Sequence, residues 1–321
     1  MSQKKDIKMI PRHQKLYDAL SLTFDDIAYE VTGGLFNDVH RVIRADELIY
    51  IKSFADEAKT AGFPPLPTTS LQRYEVAVSL HEHAQEIVSG NVYVPRLMAV
   101  DPDNRAIAME GAKGSDLYEY LLNRDKFHFA VEQISQVLIW LTSLHASSKF
   151  KALSVSANSE AFKCYKATLQ YRKLFEFLPD NKLAAANLFL DQHLKNQESV
   201  LHGDLNSRNI IICADGRIAI IDFEQAQVGC GSHDAAYLIS EIVIASFVVN
   251  ESVEALINLL WSCYETDLSN IEKYTRFRRH LCFQVLYRLK GPSRHVWTGH
   301  LDGDTRAKIE AWCTDEFISY L

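Results

Sequence analysis

One stretch constrains this chain more than any other: Val200-Leu201-His202-Gly203-Asp204-Leu205-Asn206-Ser207-Arg208-Asn209-Ile210-Ile211-Ile212, followed by Ile220-Ile221-Asp222-Phe223-Glu224. Residues 209–213 and 218–222 are rich in β-branched side chains, and Ala214-Asp215-Gly216-Arg217 separates them. Asp-Gly between two apolar runs predicts a hairpin. The polar loop before it is therefore pinned to an apolar strand pair. Asp204 precedes the first strand, Asn209 opens it, and Asp222 ends the second.

The rest of the chain sorts into two parts around that island. Residues 11–22 carry Leu16 and Leu20 at helical spacing. From 27 to 54, Ile27, Val31, Val39, Val42, Ile43, Ile49 and Ile51 fall in short runs punctuated by Gly33-Gly34 and by residues 44–47, which predicts three antiparallel strands. A Pro-rich connector at 62–70 cannot be helix interior. Thr69 with Gln72 three residues on is a capping-box pattern, and a helix is expected over about 71–87. Strands are expected near 96–100 and 106–109, and Gly111 and Gly114 would bracket a flexible crossing. Beyond it, apolar residues at 131, 134, 137, 138, 141 and 144 predict a helix, and helices resume from Tyr237. The expected division is an N-terminal, strand-rich lobe over 1–112 and a helical lobe over 113–321.

The polar residues of the island match a known chemical need. Phosphoryl transfer asks a protein to position a hydroxyl nucleophile and to offset charge on phosphate oxygens with metal ions. Asp204 can accept the hydroxyl proton, while Asn209 and Asp222 can hold Mg²⁺, at the spacing of a kinase catalytic loop. With His202-Gly203-Asp204 and Asp222-Phe223-Glu224, the segment resembles the aminoglycoside phosphotransferase and choline kinase superfamily. Protein kinases carry His-Arg-Asp and Asp-Phe-Gly at these places. The resemblance covers roughly residues 25–240. It implies an α+β, two-lobed protein-kinase-like fold, with a small antiparallel sheet in the N-lobe and a large, mainly helical C-lobe. It also implies transfer of a γ-phosphate from ATP, with GTP as an alternative donor, to a small-molecule hydroxyl such as that of a sugar, amino alcohol or aminoglycoside.

The same resemblance assigns further roles. Gly33, Gly34 and Asn37 lie in the turn that would cover the phosphates. Lys52 would contact phosphate and pair with a Glu on the following helix, Glu75 first and Glu82 second. Glu110 and Ala112 would flank the adenine-binding hinge. His145, His202 and Asp234 read as supports of the catalytic loop. Ser207 and Arg208 depart from the Pro-Gly that relatives more often carry, and Arg208 could meet an anion or face solvent.

Composition excludes some alternatives. The formal net charge of −7 argues against a nucleic-acid partner. The longest apolar run, 242–249, is interrupted by Ser246 and too short to span a bilayer, and no apolar segment follows the basic N-terminus. No membrane partner is expected, and a cytoplasmic location is. The scattered cysteines form no zinc pattern and read as reduced thiols. A protein serine/threonine kinase is disfavoured by Gly203, Glu224 and the lack of Ala-Pro-Glu after Asp222. A non-catalytic nucleotide-binding protein is disfavoured because Asp204, Asn209 and Asp222 are all present. Three acceptor ideas stay open: an anionic acceptor met by the basic stretch 272–295, a polycation met by Glu224, Glu241, Glu251, Glu254, Glu265 and Asp267, and a quaternary amine boxed by Trp261, Tyr264, Tyr287 and Trp297.

Overall fold

The computed structural model describes residues 6–7, 11–23, 27–31, 37–57, 59, 65–87, 89–147, 155–292 and 294–321. Gly33 and Gly34, and with them most of the expected phosphate-covering turn, lie outside the described residues. The strands are β1 Asp6–Ile7, β2 Ile27–Glu30, β3 Asp38–Arg44, β4 Glu47–Ser53, β5 Val92–Tyr93, β6 Leu97–Asp101, β7 Ala106–Glu110, β8 Gly114–Asp116, β9 Ser199–Leu201, β10 Ile210–Cys213, β11 Ile218–Ile220 and β12 Gln227–Gly229. The helices are α1 Gln14–Ala19, α2 Ser70–Ala84, α3 Tyr118–Leu121, α4 Phe127–Ala146, α5 Val155–Gln170, α6 Leu183–Lys195, α7 Gly231–Val249, α8 Val253–Tyr264, α9 Ile271–Lys290, α10 His295–Thr298 and α11 Gly303–Tyr320. The architecture is the two-lobed protein-kinase-like one.

In the N-lobe, six strands form a sheet in the order β1-β2-β3-β4-β7-β6, and all its pairings are antiparallel. The period-two alternation of side chains decides what each face meets. Ile49 and Ile51, with Ala106 and Ala108, pack with Leu16, Tyr17 and Leu20 from the α1 region. Ile107, on the opposite face of β7, packs with Phe54, Tyr74 and Ala77 from the side of α2. The sheet thus lies between two helices. That places Lys52, on the central strand β4, in a buried position rather than at an exposed strand end. Helix α2 begins at the expected capping box: Thr69 Oγ1 accepts from Gln72 N, and Gln72 Oε1 accepts from Thr69 N.

The expected hairpin forms, with β10 and β11 paired antiparallel and Gly216 at φ 83° in its turn. It sits in a four-stranded sheet of order β5-β11-β10-β8, whose outer strands are too short to leave a periodic signal. Gly111 and Gly114 do not bracket a flexible crossing. Gly111 N donates to Leu48 O at 2.7 Å, and Gly114 pairs with Cys213 in β8. A Cβ on Gly114 would lie 1.9 Å from Ile212 O, so close approach of backbone to backbone explains the residue.

The main core belongs to the helical lobe, where α7 packs against α4, α8 and α9. The apolar run 242–249 is the end of α7, which begins at Gly231, earlier than the expected Tyr237. This helix is long and apolar enough to cross a membrane by length and composition, and 89% of it is buried inside the fold. All six cysteines are free.

Gly114→Ala is expected to destabilise the protein by about 1–3 kcal/mol through overpacking, and Thr69→Ala by about 1 kcal/mol through loss of the cap. Urea unfolding checks both. A Gly114→Ala midpoint equal to wild type would contradict the close-approach account.

Candidate active site

The catalytic loop leaves β9 at His202 and is held from beneath by α7. Asp234, fully buried, accepts from His202 N at 2.6 Å and from Gly203 N at 3.1 Å. His145 Nε2 lies 3.3 Å from the same carboxylate, and His233 Nδ1 lies 3.7 Å from it. Burial opposes the charge on Asp234, but these partners hold its carboxyl far below the usual range. One helical turn on, Tyr237 donates its hydroxyl to Asp204 Oδ1 at 3.2 Å. One turn further, Glu241 accepts from Ser207 N at 2.6 Å. Residues 234, 237 and 241 share one face of a helix.

Two further features shape the loop. Gly203 adopts φ 82°, and a Cβ there would sit 1.9 Å from Gln225 O, so the middle position of His-Gly-Asp admits only glycine. His202 Nε2 donates to Ile221 O at 3.0 Å, tying the loop to the segment that carries Asp222. Burial pushes the His202 pKa down, which favours the neutral ring protonated at Nε2, whose Nδ1 accepts from Asp204 N at 3.3 Å.

The reactive groups converge above this base. Besides Tyr237, the Asp204 carboxylate is met by Gln225 Nε2 at 3.4 Å and Lys166 Nζ at 3.6 Å. Lys166 also donates to Gly203 O, and burial lowers its pKa despite the nearby carboxylates. Asn209 Nδ2 donates to Asp204 O at 2.8 Å, which leaves its Oδ1 as the atom available to a cation. Asp222 sits at φ 72°, an uncommon conformation for a residue other than glycine, and accepts from Lys52 Nζ at 2.6 Å. Burial opposes ionisation of Asp222, yet Lys52 holds its pKa below the usual value. The donor set of Asn209 and Asp222, two oxygen-bearing side chains beside Asp204, suits a hard cation such as Mg²⁺.

The expected partner of Lys52 needs correction. Glu75 and Glu82 are exposed on the outer face of α2. Their inward counterpart is Arg73, fully buried and two residues before Glu75, about 200° around the helix. The acid beside Lys52 comes instead from the Asp-Phe-Glu segment. Glu224 Oε2 accepts from Asn37 Nδ2 at 2.7 Å and lies 3.7 Å from both Lys52 Nζ and Arg73 Nε. Arg73 is fixed in turn by the carbonyls of Ala55 and Thr68. Helix α2 therefore contributes a cation where a carboxylate was expected.

Between the lobes runs one cleft with two chambers that share Val39, Lys52 and Asp222. A slot of about 430 Å³ is lined by Ile107, Met109, Ile211, Ile221 and Phe223, with Glu110 and Ala112 at its edge. The other chamber, of about 350 Å³, holds Asp204, Asn209, Lys166, Tyr237, Tyr287 and Trp297. Arg208 lines this chamber with its guanidinium 4.6 Å from the centroid of the Tyr118 ring.

A model of the phosphotransferase enzyme family matches residues 62–262. The chain belongs to that family. Solved structures with the same fold include the choline kinase LicA from Streptococcus pneumoniae, at 14% identity, 96% coverage of this chain, 99% of that chain and a TM-score of 0.53. They also include the aminoglycoside phosphotransferase APH(2'')-Ib bound to ADP, at 13% identity, 95% and 96% coverage and a TM-score of 0.52. A gentamicin complex of APH(2'')-IIa aligns at 12% identity, 98% coverage of both chains and a TM-score of 0.51. A search of the curated proteins finds no match.

Within this family frame, the acceptor ideas from sequence can be sorted. Of the proposed aromatic box, only Tyr287 and Trp297 line the chamber; Trp261 stacks on Phe277 in the core, and Tyr264 bonds His145. Of the acids, Glu224 and Glu241 reach the cleft, whereas Glu254 and Glu265 pair with Arg278 and Lys273. The basic stretch is mostly neutralised, and the one basic residue it places in the cleft among the described residues, Arg288, pairs with Glu241 at 3.0 Å. Sequence reading missed Lys166, Tyr237 and Arg73. Tyr237 could have been found from its spacing to Asp234. A lone buried lysine on α5 gives no such signal.

Asp234→Ala is expected to cost about 3–5 kcal/mol of stability, since it strands buried partners. The lowered pKa adds a pH signature. The Asp234 contribution is fully present above the unfolded carboxyl pKa of about 3.9 and is lost as pH falls below it. Acid unfolding of the variant should therefore be shallower than that of wild type, and an unchanged acid limb would count against the role given to Asp234.

Proposed function

We propose that this chain is a kinase that moves the γ-phosphate of ATP, with Mg²⁺, to a hydroxyl of a small molecule. The supporting observation is the convergence of Asp204, Asn209, Asp222 and Lys52 on one cleft that opens on one side into an apolar slot. Asn209 and Asp222 would hold Mg²⁺, which supplies charge compensation at the phosphate oxygens. Asp204 takes up the proton of the acceptor hydroxyl as its oxygen bonds to the γ-phosphorus, and the bond from that phosphorus to the β,γ-bridging oxygen breaks to release ADP. Tyr237, Gln225 and Lys166 fix the orientation of its carboxylate. Lys52, kept charged between Asp222 and Glu224, offers its ammonium to the phosphates. Adenine fits the slot between the N-lobe sheet and Ile211, Ile221 and Phe223.

The acceptor chamber favours a compact hydroxylated molecule of low net charge over a polycation. Its acids are paired with cations, Asp204 with Lys166 and Glu241 with Arg288. Its size lies within the range of small-molecule sites, roughly 300–1,000 Å³. Protein substrates are disfavoured because Tyr165, Tyr287 and Trp297 wall the chamber around Asp204.

An ADP-release screen across sugars, amino alcohols and aminoglycosides identifies the acceptor. With that acceptor, Asp204→Asn should lower kcat about 10²–10⁴-fold, the usual contribution of a general base, with little change in KM for ATP. Full turnover by Asp204→Asn would refute the assignment. A paired comparison tests the corrected lysine partner. Glu75→Ala should leave kcat/KM within about twofold, because an exposed residue away from such features contributes little. Glu224→Gln should raise KM for ATP at least about tenfold, as expected for a disturbed buried charge cluster. The reverse ranking would return the role to Glu75.

A further inference from the structure

The helical lobe contains another cavity, of about 440 Å³, formed by α6, by Cys230 just before α7 and by the first half of α9. It shares no lining residue with the catalytic cleft. Its wall is rich in nitrogen. Arg276 and Arg279 line it from α9 together with His280, and His193 lines it from α6. Glu272, exposed on the first turn of α9, is the one acid lining it among the described residues.

Several of these groups lack oxygen partners. His193 is 5% exposed and His280 is fully buried, and neither Nδ1 of His193 nor Nε2 of His280 has a hydrogen-bond partner among the described residues. Nδ1 of His280 is already engaged with the Tyr171 hydroxyl at 2.7 Å. Arg276 pairs with Glu198 through Nη1 at 3.1 Å, but its Nε is buried and unpartnered. Arg279 is half-buried, donates Nε to Tyr320 O at 2.6 Å, and forms no ion pair among the described residues. Burial alone pushes its pKa down, with no carboxylate acting in the opposite sense. A buried polar group without a partner costs about 1–3 kcal/mol, and more when charged. Three side chains with a buried, unpartnered nitrogen, beside an Arg279 guanidinium that meets no carboxylate among the described residues, call for a shared acceptor. Guanidinium forks match the planar or tetrahedral oxygens of carboxylate and phosphate.

We propose that this cavity is a binding site for a small oxyanion, the phosphate or carboxylate group of a metabolite, held by Arg276, Arg279, His193 and His280. It is separate from the acceptor and nucleotide chambers and does not depend on their assignment. The basic stretch noted in the sequence thus has an anion site at its N-terminal half, on the wall formed by Arg276 and Arg279, rather than at the cleft.

The test uses the full chain labelled with ¹⁵N-histidine. Inorganic phosphate and, separately, succinate are titrated while the ring signals of His193 and His280 are followed, assigned with His193→Gln and His280→Gln. The expected result is a saturable shift of both rings by at least one anion, with affinity weakened at least about tenfold in Arg279→Gln, as for loss of a charge-assisted pair. A response to phosphate alone or to succinate alone identifies the oxyanion class and sustains the proposal. Should Arg279→Gln fail to fold by thermal unfolding, Arg276→Gln serves as the second variant with the same expectation. Rings that neither anion moves, or wild-type affinity in the folded arginine variant, would overturn it.

Discussion

Three polar side chains on one face of a mostly apolar helix carry the catalytic loop. Asp234, Tyr237 and Glu241 of α7 meet the backbone of His202 and Gly203, the carboxylate of Asp204, and the backbone of Ser207. Each contact is worth more in a buried setting than in water, because a lost partner leaves a desolvated group behind. The rest of α7 supplies the rigidity. Leu238, Ile239, Ile242 and Val243 are buried in the main core, so the helix cannot shift without disturbing its packing against α8 and α9. A loop that must present one carboxylate at a fixed place is thereby referred to the largest hydrophobic core in the molecule.

The second constraint crosses the cleft. Lys52 from the N-lobe sheet meets Asp222 and Glu224, which follow the hairpin of the other lobe. Burial would depress the lysine pKa, but the two carboxylates outweigh it and raise the value. Glu224 shows the opposite balance, its pKa raised by burial more than Lys52 and Arg73 lower it. Arg73 extends this cluster to α2, so a rotation of that helix would be felt at Glu224. The lobes are joined at the place where phosphate would sit, with helix and segment exchanging the charges expected of them.

The hairpin, the leading helix, the capping box and the three central strands of the N-lobe were legible because each follows from periodicity or turn chemistry within a few residues. The pair Asp204 and Asn209 was legible because loop spacing brings them together through the Asp204 carbonyl. Glu75 misled because charge and chain order say nothing of which side of α2 faces the sheet, and its apolar neighbours Val76, Ala77 and Leu80 settle the inward face against it. Gly111 and Gly114 misled because a glycine that permits freedom and a glycine that permits close approach look alike in sequence. Lys166 and the cavity at Arg279 were invisible because they depend on helices brought together from distant parts of the chain.

The account rests on Asp222 and Asn209 forming a cation site beside the nucleotide. Calorimetric titration of ATP into the purified chain, with and without Mg²⁺, measures this most directly. One-to-one binding that requires Mg²⁺ in wild type, and that loses its dependence on the metal in Asp222→Asn, is the predicted result. Binding of equal strength with and without Mg²⁺, or no binding of ATP at all, would contradict it.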